Sequence, residues 1–238
     1  MKTNYPIRIN KYLALNNYST RKGADEMIKK GLVFINDKKA ILGSQVEKKD
    51  VVLVKEDKSK EKLVYYAYNK KIGISTNKDI RSKSILDVTK FPTRVFPVGR
   101  LDKDSHGLII MTNDGRVTDK LLSPRFSHEK EYLVKVEPNF SDKFIELMSN
   151  GVHFDGYLSK KCKVVRKNKN SFYITLTEGK KRQIRRMAEA LHHKVLDLKR
   201  IRIMNILLEN IKEGEYKSIE GKELKILLES LQIGGRQK

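Results

Sequence analysis

Arg100, Asp102 and Asp104 stand in the stretch VGRLDKDSHGLIIMTNDG, Val98 to Gly115, just before the apolar run Leu108-Ile109-Ile110-Met111. A carboxylate beside buried surface is costly unless a cation or hydrogen-bond donors hold it ionised. Arg100 lies two residues from Asp102, and on an extended segment that spacing places both side chains on one face. Such a carboxylate has the chemistry of a nucleophile, a base or a stabiliser of developing positive charge. The same residues also read as a surface turn with a local ion pair, which is worth little. The stretch alone leaves turn and site equally open.

A second group lies in EGKKRQIRRMAEALHHKVLDLKRIRI. From Glu178 to Arg202 it carries nine basic and three acidic residues. Helical spacing turns Ile184, Met187, Ala188 and Leu191 inward and leaves Arg182, Arg185, Arg186 and Glu189 on the other face. A face of one sign repels itself, and a nearby anion would relieve it. A further basic stripe is Arg8, Lys11, Arg21, Lys22, Lys29 and Lys30. Two such surfaces on one chain suit a single polyanion gripped at two places. In HEKEYLVKV, alternation puts Tyr132, Val134 and Val136 on one face, so Tyr132 is either a core aromatic or a ring that stacks on a base.

Other signals fail. DKDSHG begins like a calcium loop but has His106 and Asn113 where ligands are required. No glycine-rich run ends in Gly-Lys-Ser/Thr, which excludes a P-loop. His192 and His193 diverge on a helix and lack a matching Cys or His pair, so no metal site is expected. SHGL brings Ser105 beside His106 without the glycines of a nucleophile elbow.

The elements that must position these residues fall into two groups. In the first, Ile9, Tyr12 and Leu13 mark one helix. A second is capped by Ser19 or Thr20, buries Ala24, Met27 and Ile28, and stops at Gly31. LVFIND and DVVLV read as strands, with a turn near Asn36-Asp37. KEDKSKEK has no apolar residue and reads as a solvated linker. Beyond it LVYYAYNK, GLIIMT, EYLVKV and FYITLT are strand-like. SDKFIELMSN, RQIRRMAEALHH and GKELKILLESL are helical, the first between Ser141 and Gly151, and the tail from Gly234 is expected to fray. Strands and helices without strict alternation predict an α+β fold on a mixed or antiparallel sheet. The boundaries are 1–55 for the small domain, 56–62 for the linker and 63–238 for the large one.

Basic residues outnumber acidic ones 51 to 29 among 238, a formal charge of +22. Solubility needs far less, so a polyanionic partner is expected: nucleic acid first, an acidic membrane surface second. No apolar run approaches the roughly 20 residues that span a bilayer. Cys162, the single cysteine, excludes an intrachain disulfide and reads as a thiol in a strand. With no apolar leader at the start, it points to the cytoplasm.

These motifs together resemble a family. GRLDKDSHGLIIMTNDG is similar to the signature of the RsuA/RluF-type pseudouridine synthases of bacterial ribosomal RNA; KEYLV is similar to their second motif, and TEGKKRQIRRM with LKRIRIMNI to their third region. The first unit resembles the small RNA-binding module named after ribosomal protein S-four. The resemblance implies an S-four-like domain followed by an α+β catalytic domain with a largely antiparallel sheet. It implies that a uridine in RNA is isomerised to pseudouridine without metal or cofactor. Its catalytic aspartate falls on Asp102, attacking ribose or base, its tyrosine on Tyr132, and the basic partner of the aspartate on Arg185. The arginine of the first motif falls on Arg100 and a leucine near the base on Leu198. Arg8, Lys11, Arg21, Lys22, Arg182 and Arg186 are the expected RNA-binding residues, and Asp104 drops to a supporting role.

HEKEYLV, KKCKV and RIRIMN are most similar to the branch acting on large-subunit 23S RNA. The expected partner is thus a folded ribosomal RNA stem-loop, met by a monomer before or during subunit assembly. Small-subunit 16S RNA or tRNA is the alternative substrate. Two other rivals are a non-catalytic ribosome-assembly protein and a hydrolase that removes a base through Asp102 and Asp104.

Overall fold

A computed structural model describes residues 5–16, 18–55, 62–123 and 125–233. The linker assigned to 56–62 lies outside them except for Lys62, and so does the tail from Gly234. By internal contacts the chain forms two compact units that divide between Leu63 and Val64, with Asp114–Asp119 counted in the first.

The first unit runs β1 (Ile7–Arg8), α1 (Ile9–Leu15), α2 (Arg21–Lys29), β2 (Val33–Ile35), β3 (Lys38–Lys39), β4 (Gln45–Val46) and β5 (Val52–Val54). Ile9 and Leu13 from α1 meet Ala24, Met27 and Ile28 from α2 in a core completed by Val33, Ala40 and Val46. Thr20 is the cap of α2: its hydroxyl accepts from the Gly23 N–H at 3.1 Å. Gly31 follows the helix in the left-handed region, φ 68°. The turn at Asn36-Asp37 is present, with φ 47° and 64°, but it leads into β3. The expected second strand, β5, pairs with the other edge of β2.

The second unit contains β6 (Tyr65–Lys70), α3 (Ile85–Val88), β7 (Phe96–Val98), β8 (His106–Thr112), α4 (Gly115–Leu122), β9 (Lys130–Glu137) and α5 (Asp142–Asn150). There follow β10 (His153–Phe154), β11 (Tyr157–Leu158), β12 (Lys163–Arg166), β13 (Ser171–Leu176) and α6 (Gln183–Ala190). β14 (Lys194–Ile203), β15 (Ile206–Leu207), β16 (Tyr216–Ser218) and α7 (Gly221–Ser230) complete it. Helix α4 begins within Asp114–Asp119.

A nine-stranded sheet has the order β12-β13-β9-β14-β8-β6-β16, with β15 on β14 and β7 on β8. Among the described residues of this sheet, only β14 and β8 are parallel neighbours. The fold is thus α+β on a mixed, largely antiparallel sheet. β8 is buried along its whole length, as its apolar run requires. Register lines up Lys70, Gly107, Arg200 and Tyr132 as direct neighbours across β6, β8, β14 and β9. Paired residues share a face, so this row crosses one face of the sheet. At the Tyr132 end lies the core of Val134, Leu198, Ile184 and Met187. At the Lys70 end lies that of Tyr66, Tyr68, Ile109 and Met111.

Gly107 lets β14 approach. A Cβ there would lie 2.3 Å from the Arg200 carbonyl oxygen, and its φ of +100° disfavours any side chain. Cys162 lies just before β12; its Sγ donates to the Met148 carbonyl at 3.3 Å, and burial pushes the thiol up to about 11. It is a packing thiol.

Candidate active site

The segment Gly99–Ser105 enters β8 as a loop that ends in a turn, with Ser105 N–H donating to the Asp102 carbonyl at 3.1 Å. Asp102 is half-buried, and its carboxylate makes no hydrogen bond or ion pair among the described residues. Arg100 is exposed and likewise without a side-chain partner. The expected closeness of the two on an extended segment therefore takes a different form: neither neutralises the other.

Asp104 takes the cations instead. Arg182 donates to both its carboxylate oxygens, at 3.1 and 2.9 Å. Arg185 Nε is 3.3 Å from Oδ2, and Arg185 Nη2 donates to the Asp104 carbonyl at 2.8 Å. A further guanidinium hydrogen bond, from Nη1 to the Val195 carbonyl at 3.0 Å, ties Arg185 to the start of β14. The expectation that Arg185 pairs with Asp102 is corrected here: its ion pair is with Asp104. The turn aims Asp104 at the first turn of α6 and leaves Asp102 off that axis. Burial pushes the Asp104 carboxyl up, but the Arg182 hydrogen bonds and the charges of Arg185 and Arg182 outweigh it and hold it below the usual carboxylate range. Asp102 still feels these cations, since its charge favours the protonated forms of Arg182, Arg185 and Lys70.

Helix α6 packs as its pattern demands, with Ile184, Met187 and Ala188 buried. Its cationic face already has carboxylate partners, however. Arg182 and Arg185 meet Asp104, while Arg186 pairs with Asp155 and lies over the Phe154 ring. The self-repulsion inferred from the sequence is relieved by carboxylates of the protein itself. The helix begins at Gln183, one residue later than expected, because Arg182 adopts a left-handed backbone, φ 53°.

Tyr132 is half-buried and packs against the core shared by Leu198, Ile184 and Met187. Leu198 is itself buried there. Both belong to the face that α6 covers, and α6 carries Arg185 to the Asp104 loop. Arg8, Lys11, Arg21 and Lys22 are all exposed in the first unit.

Two cations escaped the sequence reading. Lys70 is fully buried, its Nζ donating to the Lys71 and Ile74 carbonyls at 3.0 and 2.6 Å. Burial lowers it to about 8 against the opposing pull of Asp104 and Asp102. Arg200, 4% exposed, donates from Nε to the Leu108 carbonyl at 2.7 Å and keeps one buried terminal nitrogen without a partner. A lysine ending a strand and an arginine in a basic run carry no site signal of their own; only the register puts them beside the site. His106 is a third surprise: its Nε2 lies 2.9 Å from Asp197.

A small basic helix-and-strand unit and a larger α+β unit whose loop carries carboxylates among cations suit an RNA-directed enzyme. Family comparison agrees. Residues 44–190 match the model of RNA pseudouridylate synthase, and residues 7–52 match the S4 domain. The chain belongs to the RNA pseudouridylate synthase family, as its motifs led us to expect.

It is 44% identical over 223 residues to the dual-specificity RNA pseudouridine synthase RluF of Escherichia coli K12, covering 92% of this chain and 77% of that protein. It is 34% identical to the ribosomal large subunit pseudouridine synthase B of Buchnera aphidicola, covering 92% and 93%. A crystal structure of a pseudouridylate synthase superposes with a TM-score of 0.70 at 28% identity, covering 93% of this chain and 99% of that one.

Proposed function

We propose that this pseudouridine synthase isomerises a specific uridine of large-subunit 23S ribosomal RNA through Asp102, Tyr132 and Arg185. The observation that carries the reading is the contrast within one loop: Asp104 is held by two arginines, while Asp102 stands free beside them. Pseudouridine formation breaks the bond between the base nitrogen and the ribose carbon, turns the base, joins carbon five to that ribose carbon, releases the carbon-five proton and adds a proton to the freed nitrogen. The target atoms are hidden in folded RNA, so the uridine is flipped out of its stack. One unpaired carboxylate suffices, whether it attacks as a nucleophile or acts on the sugar carbon as a base.

Tyr132 stacks on the base and helps remove the last proton. Arg185 acts through Asp104, fixing the loop that carries Asp102 and adding positive potential. Arg100, exposed and unpaired, steadies the extruded nucleotide, and Leu198 supports the base from beneath Tyr132. Arg182 and Arg186 line the RNA path from their carboxylate anchors, while Arg8, Lys11, Arg21 and Lys22 hold the RNA from the small domain. That domain is assigned to 1–55 and the catalytic domain to 63–238. The same arrangement argues against base removal by two carboxylates, because Asp104 is committed to its arginines.

The large-subunit substrate is supported by the name of the Buchnera relative, a ribosomal large subunit pseudouridine synthase. The dual specificity in the Escherichia coli relatives' name favours a second RNA, 16S RNA or tRNA, as the alternative reading. The enzyme is proposed to act as a monomer. Among the described residues no helix is long and apolar enough to cross a membrane. A single thiol and an RNA substrate support a cytoplasmic location.

The test is incubation with unmodified 23S, 16S and transfer RNA, with pseudouridine mapped by carbodiimide-dependent primer-extension stops. A new stop in 23S RNA without release of free uracil is expected. Free uracil, or no stop in any RNA, contradicts the proposal.

A further inference from the structure

From the geometry we infer that Thr76 is a positioning residue for Asp102, an assignment that rests on the catalytic reading of Asp102 given above. The Thr76 side chain is 5% exposed and lies against the residue that precedes Asp102. Its Oγ1 donates to the Leu101 carbonyl at 2.7 Å and accepts from the Leu101 N–H at 3.0 Å. One hydroxyl thus satisfies both polar backbone groups of a buried residue. Only a group that is donor and acceptor at one atom can do this.

Thr76 does not act from a loose loop. The strap after β6 is fastened at its root by Lys70, whose Nζ donates to the Lys71 and Ile74 carbonyls. Gly73 N–H donates to the Lys103 carbonyl at 2.8 Å, so the strap holds the loop on both sides of Asp102. Ser75 N–H donates to the Lys83 carbonyl, and the Ser75 carbonyl accepts from Ile85 N–H, each at 3.0 Å. These bonds tie the far side of the strap to α3. Asp102 itself has no ion pair to fix it, so its carboxylate is placed by its backbone. The backbone is placed by Leu101 and Lys103, and both are held by the strap.

Catalysis depends on placement within a fraction of an ångström, and a displacement of about 1 Å costs on the order of 100-fold in rate. Thr76→Val keeps the shape, removes the hydroxyl and leaves the Leu101 N–H and C=O without partners. Its kcat on 23S RNA transcript should fall by about 100-fold, with KM and RNA dissociation constant within about 3-fold of the unaltered enzyme. Thr76→Ser should restore kcat.

Thr76→Cys and Thr76→Ala extend the series if the valine variant does not fold. kcat should then rank Ser above Cys above Ala, following hydrogen-bonding capacity. A ranking that follows thermal stability instead, or a folded Thr76→Val or Thr76→Ala enzyme with unchanged kcat, overturns the proposal. Asp102→Asn is assayed alongside. If it is inactive while the Thr76 series is flat, the positioning role fails and the assignment of Asp102 stands. If it is active, the assignment of Asp102 falls, and the positioning role falls with it.

Discussion

Asp102 and Asp104 share a loop and differ in what surrounds their carboxylates. Two guanidinium groups claim Asp104, and the same groups act on Asp102 only at a distance. A carboxylate that must meet a substrate keeps its oxygens free, whereas one that orders a loop spends them on ion pairs. Tyr132 is argued the same way. Its ring packs on the core near Leu198, and its assigned work is on the base. Tyr132→Leu should weaken RNA binding by about 1–3 kcal/mol, the worth of one stacked base, in a filter-binding titration. Tyr132→Phe should bind normally and form product more slowly in a single turnover. Equal affinity for the leucine variant counts against stacking.

Lys70 makes a pH prediction. Burial lowers its folded-state pKa to about 8, below the usual lysine range, so the unfolded chain binds the proton more tightly. Its penalty is full below pH 8 and is relieved as pH rises from about 8 toward the ordinary lysine value. The stability of the unaltered protein relative to Lys70→Met should therefore increase over that window, by up to about 1.4 kcal/mol per pH unit. Urea titrations at pH 7.5, 8.5 and 9.5 check it, and parallel stability curves would contradict it.

At the level of elements, the contact between β8 and β14 depends on a single glycine. Gly107→Ala must relieve a contact with Arg200 backbone and adopt a φ that alanine disfavours. It should cost about 1–3 kcal/mol, seen as a lower urea midpoint with loss of activity. A midpoint matching that of the unaltered protein would show that β14 can move aside freely. Much of this architecture was readable in advance. The alternation of Tyr132, Val134 and Val136, the buried run of β8 and the inward stripe of α6 each appear as the residues predict. The two-residue β3, the short β15 and the lone parallel pair of β14 with β8 carry no periodic signal of their own. Nor does a sequence reveal which aspartate of a loop an arginine will reach, because that depends on how the turn points. Thr76 is a further instance, since its partner is 25 residues away.

For the whole molecule, the +22 charge finds its use in two places. Around α6 much of it is held by Asp104 and Asp155, whereas Arg8, Lys11, Arg21 and Lys22 are exposed on the small unit. Replacing those four with Gln should reduce the slope of log affinity against log salt by about 3, as released counterions are lost. An unchanged slope would remove the small unit from the RNA contact. The central claim is narrower and concerns one carboxylate. It is tested most directly by the single-turnover rate of pseudouridine formation in 23S RNA for Asp102→Asn and Asp104→Asn, each compared with the unaltered enzyme at matched RNA occupancy. The account predicts that Asp102→Asn loses at least about a thousandfold in rate while binding RNA normally, and that Asp104→Asn keeps measurable turnover with a less stable loop. Full activity in Asp102→Asn, or a dead Asp104→Asn beside a live Asp102→Asn, would contradict it.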